Sequence, residues 1–357
     1  MIDHPRGNAV STEESAARSP ARRRASRAPA ATIYDIAKLA GVNPSTVSRA
    51  LNQPGRINIK TEQRIREAAD ELNYRVNPFA RALPTGRTMT LGFIVADITN
   101  PVLFGIIRGA EKAAAQLGYT LIIAESQESG EREAAAAERV LPSVDGLVLA
   151  TTRLGDPQIQ DLAAQKPLVL INRFVEGVDC IVPDISIGIG QAVEHLARAG
   201  HRRIAYLAGP ETSWIGQRRA EAIGAAADRE GIEVVQLGPA SPTLAGGPAS
   251  LPEVLASKAT AVIAYNDLMA IGLLREAQKR GMSIPGDLSI IGFDDIFGSD
   301  FTTPPLTTIR MPLADAGHRA VHAVLTVLGE DVADLDETPL TTELVVRDSV
   351  ATLAAQN

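Results

Sequence analysis

One short stretch, GVNPSTVSRAL at residues 41–51, carries the side chains whose chemistry is clearest. Helical spacing places an apolar stripe on one side of it: Val47, Ala50 and Leu51. The other side presents short hydroxyls and one forked donor without any acid: Ser45, Thr46, Ser48 and Arg49. Such a face can enter a DNA major groove, because small residues allow close approach and arginine can grip guanine with two hydrogen bonds. An ordinary solvated helix is the alternative, although such helices usually carry Glu and Lys pairs.

The elements around this stretch must position it. The pattern of residues 32–73 predicts three short helices. Thr32 followed by Asp35 is a capping-box signature for the first helix. Pro44 stands at the first position of the second helix, after the capping residue Asn43, where a missing N–H costs little. The third helix lies in KTEQRIREAADELNY. The first two helices are joined by a three-residue turn: Gly41, Val42 and Asn43.

The net charge of −7 conceals an asymmetry along the chain. Residues 1–87 hold 15 Lys+Arg and 8 Asp+Glu, a net charge of +7, so the remaining residues carry −14. A basic first part on an acidic remainder indicates contact with a polyanion. Residues 1–31, rich in Ala, Arg, Ser and Pro, predict a disordered basic leader. Its arginines could add phosphate contacts or could simply be solvated.

Beyond a connector at residues 77–87, short apolar runs alternate with amphipathic helical patterns, as in LGFIVAD, TLIIAES, DGLVLAT and PLVLINR. Buried, non-alternating strands separated by helices predict parallel α/β sheet. The strands are too many for one modest sheet, so we expect two α/β subdomains. The stretch PASPTLAGGPASLPE has the weakest periodicity and predicts loops.

Ligands of parallel α/β domains bind at the carboxyl ends of the strands. Polar residues that end the apolar runs are therefore candidate ligand contacts: Asp97, Asn172, Asn266 with Asp267, and Asp294 with Asp295. Each residue alone is more often a helix cap or a loop residue than a ligand contact, but the repeated arrangement favours a site.

The stretch from Thr32 to Leu83 resembles the DNA-binding head and hinge of the lactose-repressor (LacI/GalR) family of transcription factors. The shared elements are YDIA, AGV, TVSRALN, T-x-x-R-I and ELNY-x-x-N. The resemblance implies a helix-turn-helix whose recognition helix spans about 44–52. It places these residues at base-reading positions: Pro44, Ser45 and Arg49. It places these at backbone-contacting positions: Thr32, Thr46, Ser48, Asn52 and Tyr74. Two more residues would begin the next helix and contact phosphates: Arg56 and Lys60.

Residues Asn77 to Leu83 match the hinge of that family, which folds into a short helix on DNA. The resemblance implies that Asn77 belongs to the DNA-binding set and that Leu83 wedges into the minor groove, a general way to kink DNA. Pro84 follows Leu83 where the family usually has a small or basic residue. Because proline disfavours helix at the preceding residue, we expect the hinge helix to end at or just before Leu83.

The resemblance continues through NPVLFGIIRGAEKAA, VDGLVL, HLARAGHRRIAYLAGP, AYNDLMAIGLL, IGFDD and PPLTTI. It implies an effector-binding core like that of periplasmic sugar-binding proteins, with three chain crossings near residues 183, 310 and 335. The implied effector contacts are Phe104, Asn172, Trp214, Arg219, Asn266 and Asp294. For Trp214, stacking on a sugar ring and packing in the core are equally open.

The expected fold class is α/β, with an all-α helix-turn-helix head and a periplasmic-binding-protein-like core of two parallel subdomains. The head is predicted at 32–76, the hinge at 77–87, and the effector-binding and dimerisation domain at 88–350. Within that domain, we expect an N-subdomain at about 88–182 and 311–330. The C-subdomain is expected at about 183–310 and 335–350.

Enzyme motifs such as G-x-S-x-G, H-E-x-x-H and G-x-x-x-x-G-K-[ST] do not occur in the sequence. His318 and His322 lie four apart on one predicted helix, where an exposed or interface face is favoured over a metal site. The single cysteine, Cys180, excludes an intrachain disulfide. We therefore expect no enzyme activity, no cofactor and no metal.

These patterns predict a cytoplasmic, homodimeric repressor of carbohydrate-metabolism genes, with a tetramer also open. Its partners would be double-stranded operator DNA and a small effector, a sugar or sugar derivative, without a membrane. The effector could instead be a nucleobase or a partner protein. A sugar-binding transport component is a further alternative, although it would need an export signal. A carbohydrate-active enzyme with a DNA-binding appendage would need turnover of a sugar.

Overall fold

The computed structural model describes residues 31–52, 55–74, 86–332 and 338–353. The chain divides into two units, Met1–Asn77 and Pro78–Asn357. The predicted leader and hinge helix, with Asn77 and Leu83, lie outside the described residues, and so does the side chain of Asn52. The domain boundaries given above stay predictions.

The first unit contains three helices: α1 (Ile33–Ala40), α2 (Pro44–Asn52) and α3 (Ile59–Glu71). The predicted capping box is confirmed, because the Thr32 hydroxyl accepts from the Asp35 amide and the Asp35 carboxylate accepts from the Thr32 amide at 2.8 Å. Gly41 ends α1 with φ 64°, in the left-handed region. The predicted three-residue turn to Pro44 is also confirmed.

The third helix differs from the prediction at both ends. It begins at Ile59 because the Asn58 side chain accepts from the Lys60 amide at 2.9 Å. The prediction that Arg56 begins this helix is wrong, since Arg56 lies in the bend before it. The helix ends at Glu71, so Tyr74 follows its end.

All three helices contribute to one small core: Ile36, Ala37, Ala40, Val47, Ala50, Ile65, Ala68 and Ala69. Ile36 and Ile65 are fully buried, and each contributes about 1.5–3 kcal/mol relative to an exposed side chain. This packing fixes which side of α2 faces inward.

The second unit, hereafter the body, contains eleven strands and eight helices within its described residues. The strands are β1 (Thr90–Val95), β2 (Thr120–Glu125), β3 (Gly146–Ala150), β4 (Leu168–Ile171), β5 (Asp179–Ile181), β6 (Arg203–Leu207), β7 (Glu233–Leu237), β8 (Ala261–Ala264), β9 (Ser289–Asp294), β10 (Thr307–Arg310) and β11 (Glu343–Val345). The helices are α4 (Val102–Gln116), α5 (Gly130–Val140), α6 (Asp156–Ala163), α7 (Ser186–Arg198), α8 (Trp214–Glu230), α9 (Gly246–Ala256), α10 (Asp267–Lys279) and α11 (Leu313–Val327).

These strands form the two expected sheets. The first sheet has the order β2-β1-β3-β4-β5 and is parallel throughout. The second has the order β11-β10-β9-β8-β6-β7 and is parallel except for the antiparallel pair β10 and β11. The chain passes to the second sheet after β5, returns after β10 to place α11 against the first sheet, and then reaches β11.

Helix α11 packs on α4 with the two backbones almost in contact. A Cβ added at Gly109 would lie 1.9 Å from the Ala314 carbonyl oxygen, and one added at Gly317 would lie 1.9 Å from that of Ile106. Only glycine allows this approach, so α11 is held firmly against the first sheet.

The prediction of loops in PASPTLAGGPASLPE is wrong for its second half, which starts helix α9. Gly247 lets this helix approach α10, since a Cβ there would lie 2.2 Å from the Met269 carbonyl oxygen. Tertiary packing therefore overrides the low helix propensity of this Gly- and Pro-rich stretch.

Among the described residues, no helix has the length and apolar character needed to cross a membrane.

Candidate DNA-binding surface and ligand cleft

The outward side of α2 carries the side chains predicted for it. Ser45 and Arg49 are exposed, while Thr46 and Ser48 are half-buried at its borders. Pro44, at the first turn, is also half-buried. The exposed side of α2 therefore offers one hydroxyl and one guanidinium, flanked by small residues.

Positive charges of this unit face solvent. Arg49, Arg56 and Lys60 are exposed, and no carboxylate within residues 31–52 or 55–74 forms an ion pair with them. The nearby acids are engaged elsewhere, because Asp35 caps α1 and Glu62 pairs with Arg66 at 2.6 Å. These three cations are therefore available to phosphates.

The remaining predicted contacts are more scattered. Thr32 is exposed at the start of α1, and Tyr74 is half-buried after α3. The structure adds Tyr34, whose side chain is 69% exposed on α1. The sequence could have indicated this exposure, because Tyr34 lies outside the apolar stripe of the helix: Ile33, Ile36, Ala37 and Ala40.

A cavity of about 40 Å³ lies where the carboxyl ends of strands from both sheets meet. We call it the cleft. From the first sheet it is lined by Asp97, Asn100, Glu128, Thr151, Arg153 and Asn172, among others. From the second sheet the lining includes Ile215, Arg219, Pro242, Tyr265, Asn266 and Asp294. The structure thus brings four of the six predicted effector contacts together.

The Arg219 guanidinium and the Asp294 carboxylate form a buried ion pair at 3.0 Å, with 4% and 5% of the side chains exposed. Arg219 also donates to the Tyr265 carbonyl at 2.5 Å and lies 3.7 Å from the centre of the Phe293 ring. Burial raises the pKa of Asp294 to about 6, although Arg219 opposes this shift. The pair places one charge of each sign against the cleft.

Two buried polar atoms of the cleft have no hydrogen-bond partner within the described part of the chain: Asn172 Oδ1 and Arg219 Nε. Asn172 is 6% exposed and directly follows β4 with φ 59°, a left-handed conformation that asparagine tolerates better than most residues. A buried acceptor and a buried donor without partners are costly, and ligand groups could satisfy both.

Sequence reasoning missed Arg153 and Glu128, an ion pair that lines the cleft from the first sheet. Arg153 pairs with Glu128 at 2.6 Å and donates to the Thr151 carbonyl at 2.6 Å. Its amide donates to the buried Glu133 at 2.7 Å. The signal was a polar run, TTR, directly after a buried strand.

Of the six predicted effector contacts, one has its side chain engaged by the protein and two do not line the cleft. The Asn266 side chain caps α10 by accepting from the Met269 amide at 2.9 Å and donates to the Pro242 carbonyl at 2.9 Å. Phe104 is 51% exposed on α4 and is not among the residues lining the cleft. Trp214 instead lines a separate groove of about 710 Å³ with Phe174. The effector roles of these residues stay predictions.

The histidine pair on α11 has stacked rings, with centroids 4.2 Å apart. The prediction was an exposed or interface helix face; His322 is only 8% exposed, and the interface alternative stays a prediction. Within the described residues, no group of three or more His, Cys, Asp or Glu side chains could hold a metal ion.

Two family models match the chain. The model described as bacterial regulatory proteins, lacI family, matches residues 32–77, and a periplasmic binding protein-like domain matches residues 193–350. The repressor CytR of Escherichia coli (strain K12) is 32% identical over 334 residues, which are 91% of this chain and 97% of CytR. The regulator GalR of the same strain is 32% identical over 332 residues, covering 90% and 96%.

The chain is also similar to solved structures of transcriptional regulators. The Lac repressor dimer bound to operator and the anti-inducer ONPF has a TM-score of 0.80 and 27% identity, covering 90% of this chain and all of that one. A cellobiose complex of the regulator CelR has a TM-score of 0.64 and 28% identity, covering 89% and 99%. A ribose-bound LacI-family regulator from Enterococcus faecium has a TM-score of 0.65 and 32% identity, covering 74% and 100%.

A helix-turn-helix unit followed by a two-sheet body with a polar cleft defines a DNA-binding transcriptional regulator. The chain belongs to the LacI family of bacterial regulatory proteins.

Proposed function

We propose that this regulator represses carbohydrate-metabolism genes from the cytoplasm by binding a palindromic operator as a homodimer. The exposed face of α2 would read bases through Arg49, with Ser45 close to the base edges. Arg56 and Lys60 would contact phosphates. Two copies related by a two-fold axis would bind two half-sites, which explains the expected palindrome.

We further propose that the effector is a neutral polyhydroxyl molecule bound in the cleft. The observation that carries this proposal is the pair of buried, unpartnered atoms, Asn172 Oδ1 and Arg219 Nε. The first needs a donor and the second needs an acceptor, and a hydroxyl group can be either. Neighbouring hydroxyls on one sugar ring would satisfy both.

The charges of the cleft favour a neutral effector over a phosphorylated one. Arg219 is paired with Asp294 and Arg153 with Glu128, so both guanidinium charges are already compensated. Asp97 adds a further carboxylate to the lining. An incoming phosphate would have to displace one of these carboxylates, at the cost of burying it unpaired.

The size of the cleft supports coupling between effector binding and domain movement. About 40 Å³ is a narrow space for a sugar. The two sheets would separate to admit the sugar and would then close on it. An effector that binds one arrangement more tightly shifts the population toward it.

The alternatives make distinct predictions. A nucleobase would require a flat slot, and Tyr265 is the aromatic residue that lines the cleft among those described. A partner protein would leave the cleft unused. A transport component would not need the basic face of α2, and an enzyme would turn over a sugar, which we do not expect.

A thermal-shift screen tests the effector proposal, since a ligand at 100 times its Kd stabilises the folded state by about 2.7 kcal/mol. For a body of this size, we expect ribose, cellobiose or another neutral sugar to raise Tm by about 5–10 °C. Ribose 5-phosphate and adenine should give no shift. A shift with adenine alone would instead support the nucleobase alternative.

A matched pair of variants locates the ligand. Asn172→Gly removes the unpartnered acceptor at a left-handed position, and Lys258→Gly makes the same backbone change at φ 58° away from the cleft. We expect Asn172→Gly to abolish the ligand-induced shift and Lys258→Gly to retain it. Equal shifts in both variants would place the effector outside the cleft.

A further inference from the structure

The two walls of the cleft share an unusual backbone. On the second sheet, two successive residues at the end of β9 are in the left-handed region, Asp294 with φ 106° and Asp295 with φ 53°. On the first sheet, two successive residues shortly after β2 are in the same region, Gln127 with φ 51° and Glu128 with φ 60°. Left-handed residues other than glycine are uncommon, and they cluster at functional sites. Each wall therefore carries a carboxylate on a strained strand end.

A buried arginine holds the carboxylate in each wall. Arg219 pairs with Asp294 at 3.0 Å. Arg153 pairs with Glu128 through two nitrogens, at 2.6 and 2.8 Å. Both arginine side chains are 4% exposed, and each also donates to a backbone carbonyl, at 2.5 and 2.6 Å. All four side chains line the cleft, so the first sheet repeats the arrangement of the second.

The Glu128 carboxylate keeps one oxygen available. Both bonds from Arg153 reach Oε2, and no hydrogen bond from the described part of the chain reaches Oε1. The Glu128 side chain is 28% exposed, whereas that of Asp294 is 5% exposed. Because a carboxylate oxygen only accepts when ionised, Oε1 offers a ligand in the cleft a charged acceptor.

The backbone that carries Glu128 is tied to the first sheet. The Ser126 amide donates to the carbonyl of Val95, the last residue of β1, at 2.9 Å. The Glu128 amide donates to the Ala96 carbonyl at 3.0 Å. The position of this carboxylate is therefore set by the sheet and by Arg153 together, which is the preorganisation that a binding group requires.

We propose that Glu128 is a second effector-binding carboxylate, positioned by Arg153, and that the effector carries hydroxyl groups on two edges of one ring. One edge donates to Glu128 of the first sheet, and the other contacts the second sheet at Asp294 and Arg219. This inference rests on the proposed function, since it names a further contact in the same cleft. Arg153 is a positioning residue that acts on the effector through Glu128.

Isothermal titration calorimetry with neutral sugars tests the contact. Ribose, xylose, glucose, galactose and cellobiose are titrated into the wild type, and the sugar with the lowest Kd is then titrated into the variants. Glu128→Gln keeps the shape of the side chain and removes its charge, so we expect its Kd to rise by about 10–100-fold. Glu125→Gln is the matched control and should keep the wild-type Kd, because Glu125 ends β2 without being among the residues that line the cleft.

A double variant tests the role of Arg153. Arg153→Met should raise the Kd, and Arg153→Met combined with Glu128→Gln should bind no more weakly than Glu128→Gln alone, since the arginine acts through the carboxylate. Losses that multiply in the double variant would remove the positioning role. The Tm of each variant without sugar shows whether it folds, and Glu128→Gln carries the test if Arg153→Met does not.

The outcomes separate this contact from the proposed effector. If none of the five sugars binds the wild type, the proposed effector class fails and the contact fails with it. If a sugar binds, Asn172→Gly abolishes its binding and Glu128→Gln keeps the wild-type Kd, the contact is overturned while the proposed effector stands.

Discussion

Removing the carboxylate of the buried pair in the cleft should destabilise the body more than removing its guanidinium. Asp294→Ala leaves Arg219 about 96% buried, with the Tyr265 carbonyl as its remaining hydrogen-bond acceptor among the described residues. Breaking a buried ion pair by removing one partner costs about 3–5 kcal/mol. A guanidinium cannot escape this cost because it cannot lose its proton within the accessible pH range.

Arg219→Met instead leaves the Asp294 carboxyl buried without its cationic partner. Asp294 can take up a proton, and its pKa is already about 6 in the presence of Arg219. Without Arg219, this pKa rises further, and each additional unit corresponds to about 1.4 kcal/mol. We therefore expect Arg219→Met to cost less at pH 5 than at pH 8. Asp294→Ala should cost more at pH 5 than at pH 8, because the wild type gains stability by protonating Asp294 and the alanine variant does not.

Urea unfolding of the body at these two pH values gives the measurement. The chain has one tryptophan, Trp214, which packs against the core of the second sheet and reports on it by fluorescence. The control is Glu194→Ala, which breaks an exposed i,i+4 pair and should cost at most about 0.5 kcal/mol. An Asp294→Ala variant within about 1 kcal/mol of the wild type would refute the argument, because it would mean that Arg219 is solvated.

Three further outcomes are expected from other sites. Thr32→Ala should destabilise α1 by about 1 kcal/mol through loss of the capping box, seen as faster amide hydrogen exchange in that helix; unchanged exchange would contradict the cap. Lys60→Ala should reduce the slope of log affinity for operator against log salt by about 1, and an unchanged slope would exclude a phosphate contact. The wild-type body should gain stability from Asp294 as pH falls from about 6 to about 4. Burial places the folded pKa of this group above its unfolded value of 3.8, so the folded state binds the extra proton. Asp294→Asn should remove that component of the pH dependence, and an unaltered profile would assign it to another group.

The sequence was most informative where local chemistry decides the structure. The Thr32 and Asp35 capping box, the left-handed Gly41 and the start of α2 at Pro44 all follow from interactions within a few residues. The alternation of strands and helices in the body could also be predicted, because buried parallel strands require continuous apolar runs.

Features that depend on contacts distant in sequence could not be predicted in this way. Helix α9 forms in a Gly- and Pro-rich stretch because Gly247 meets α10. The pair of Arg153 and Glu128 depends on the folded geometry. The ends of the apolar runs nominated Asn172 and Asp294, and the resemblance added Arg219. The unpartnered atoms that indicate a ligand became visible only in the folded structure.

The central claim is that the exposed face of α2 reads DNA sequence, and competition binding with selected operator measures it most directly. Wild type and Arg49→Ala are compared on the selected operator and on copies with one base pair changed in each half-site. We predict that the wild type prefers a two-fold symmetric site and that Arg49→Ala loses about 1–3 kcal/mol of discrimination at one position of each half-site. Unchanged discrimination in Arg49→Ala, or a wild type without sequence preference, would contradict the claim.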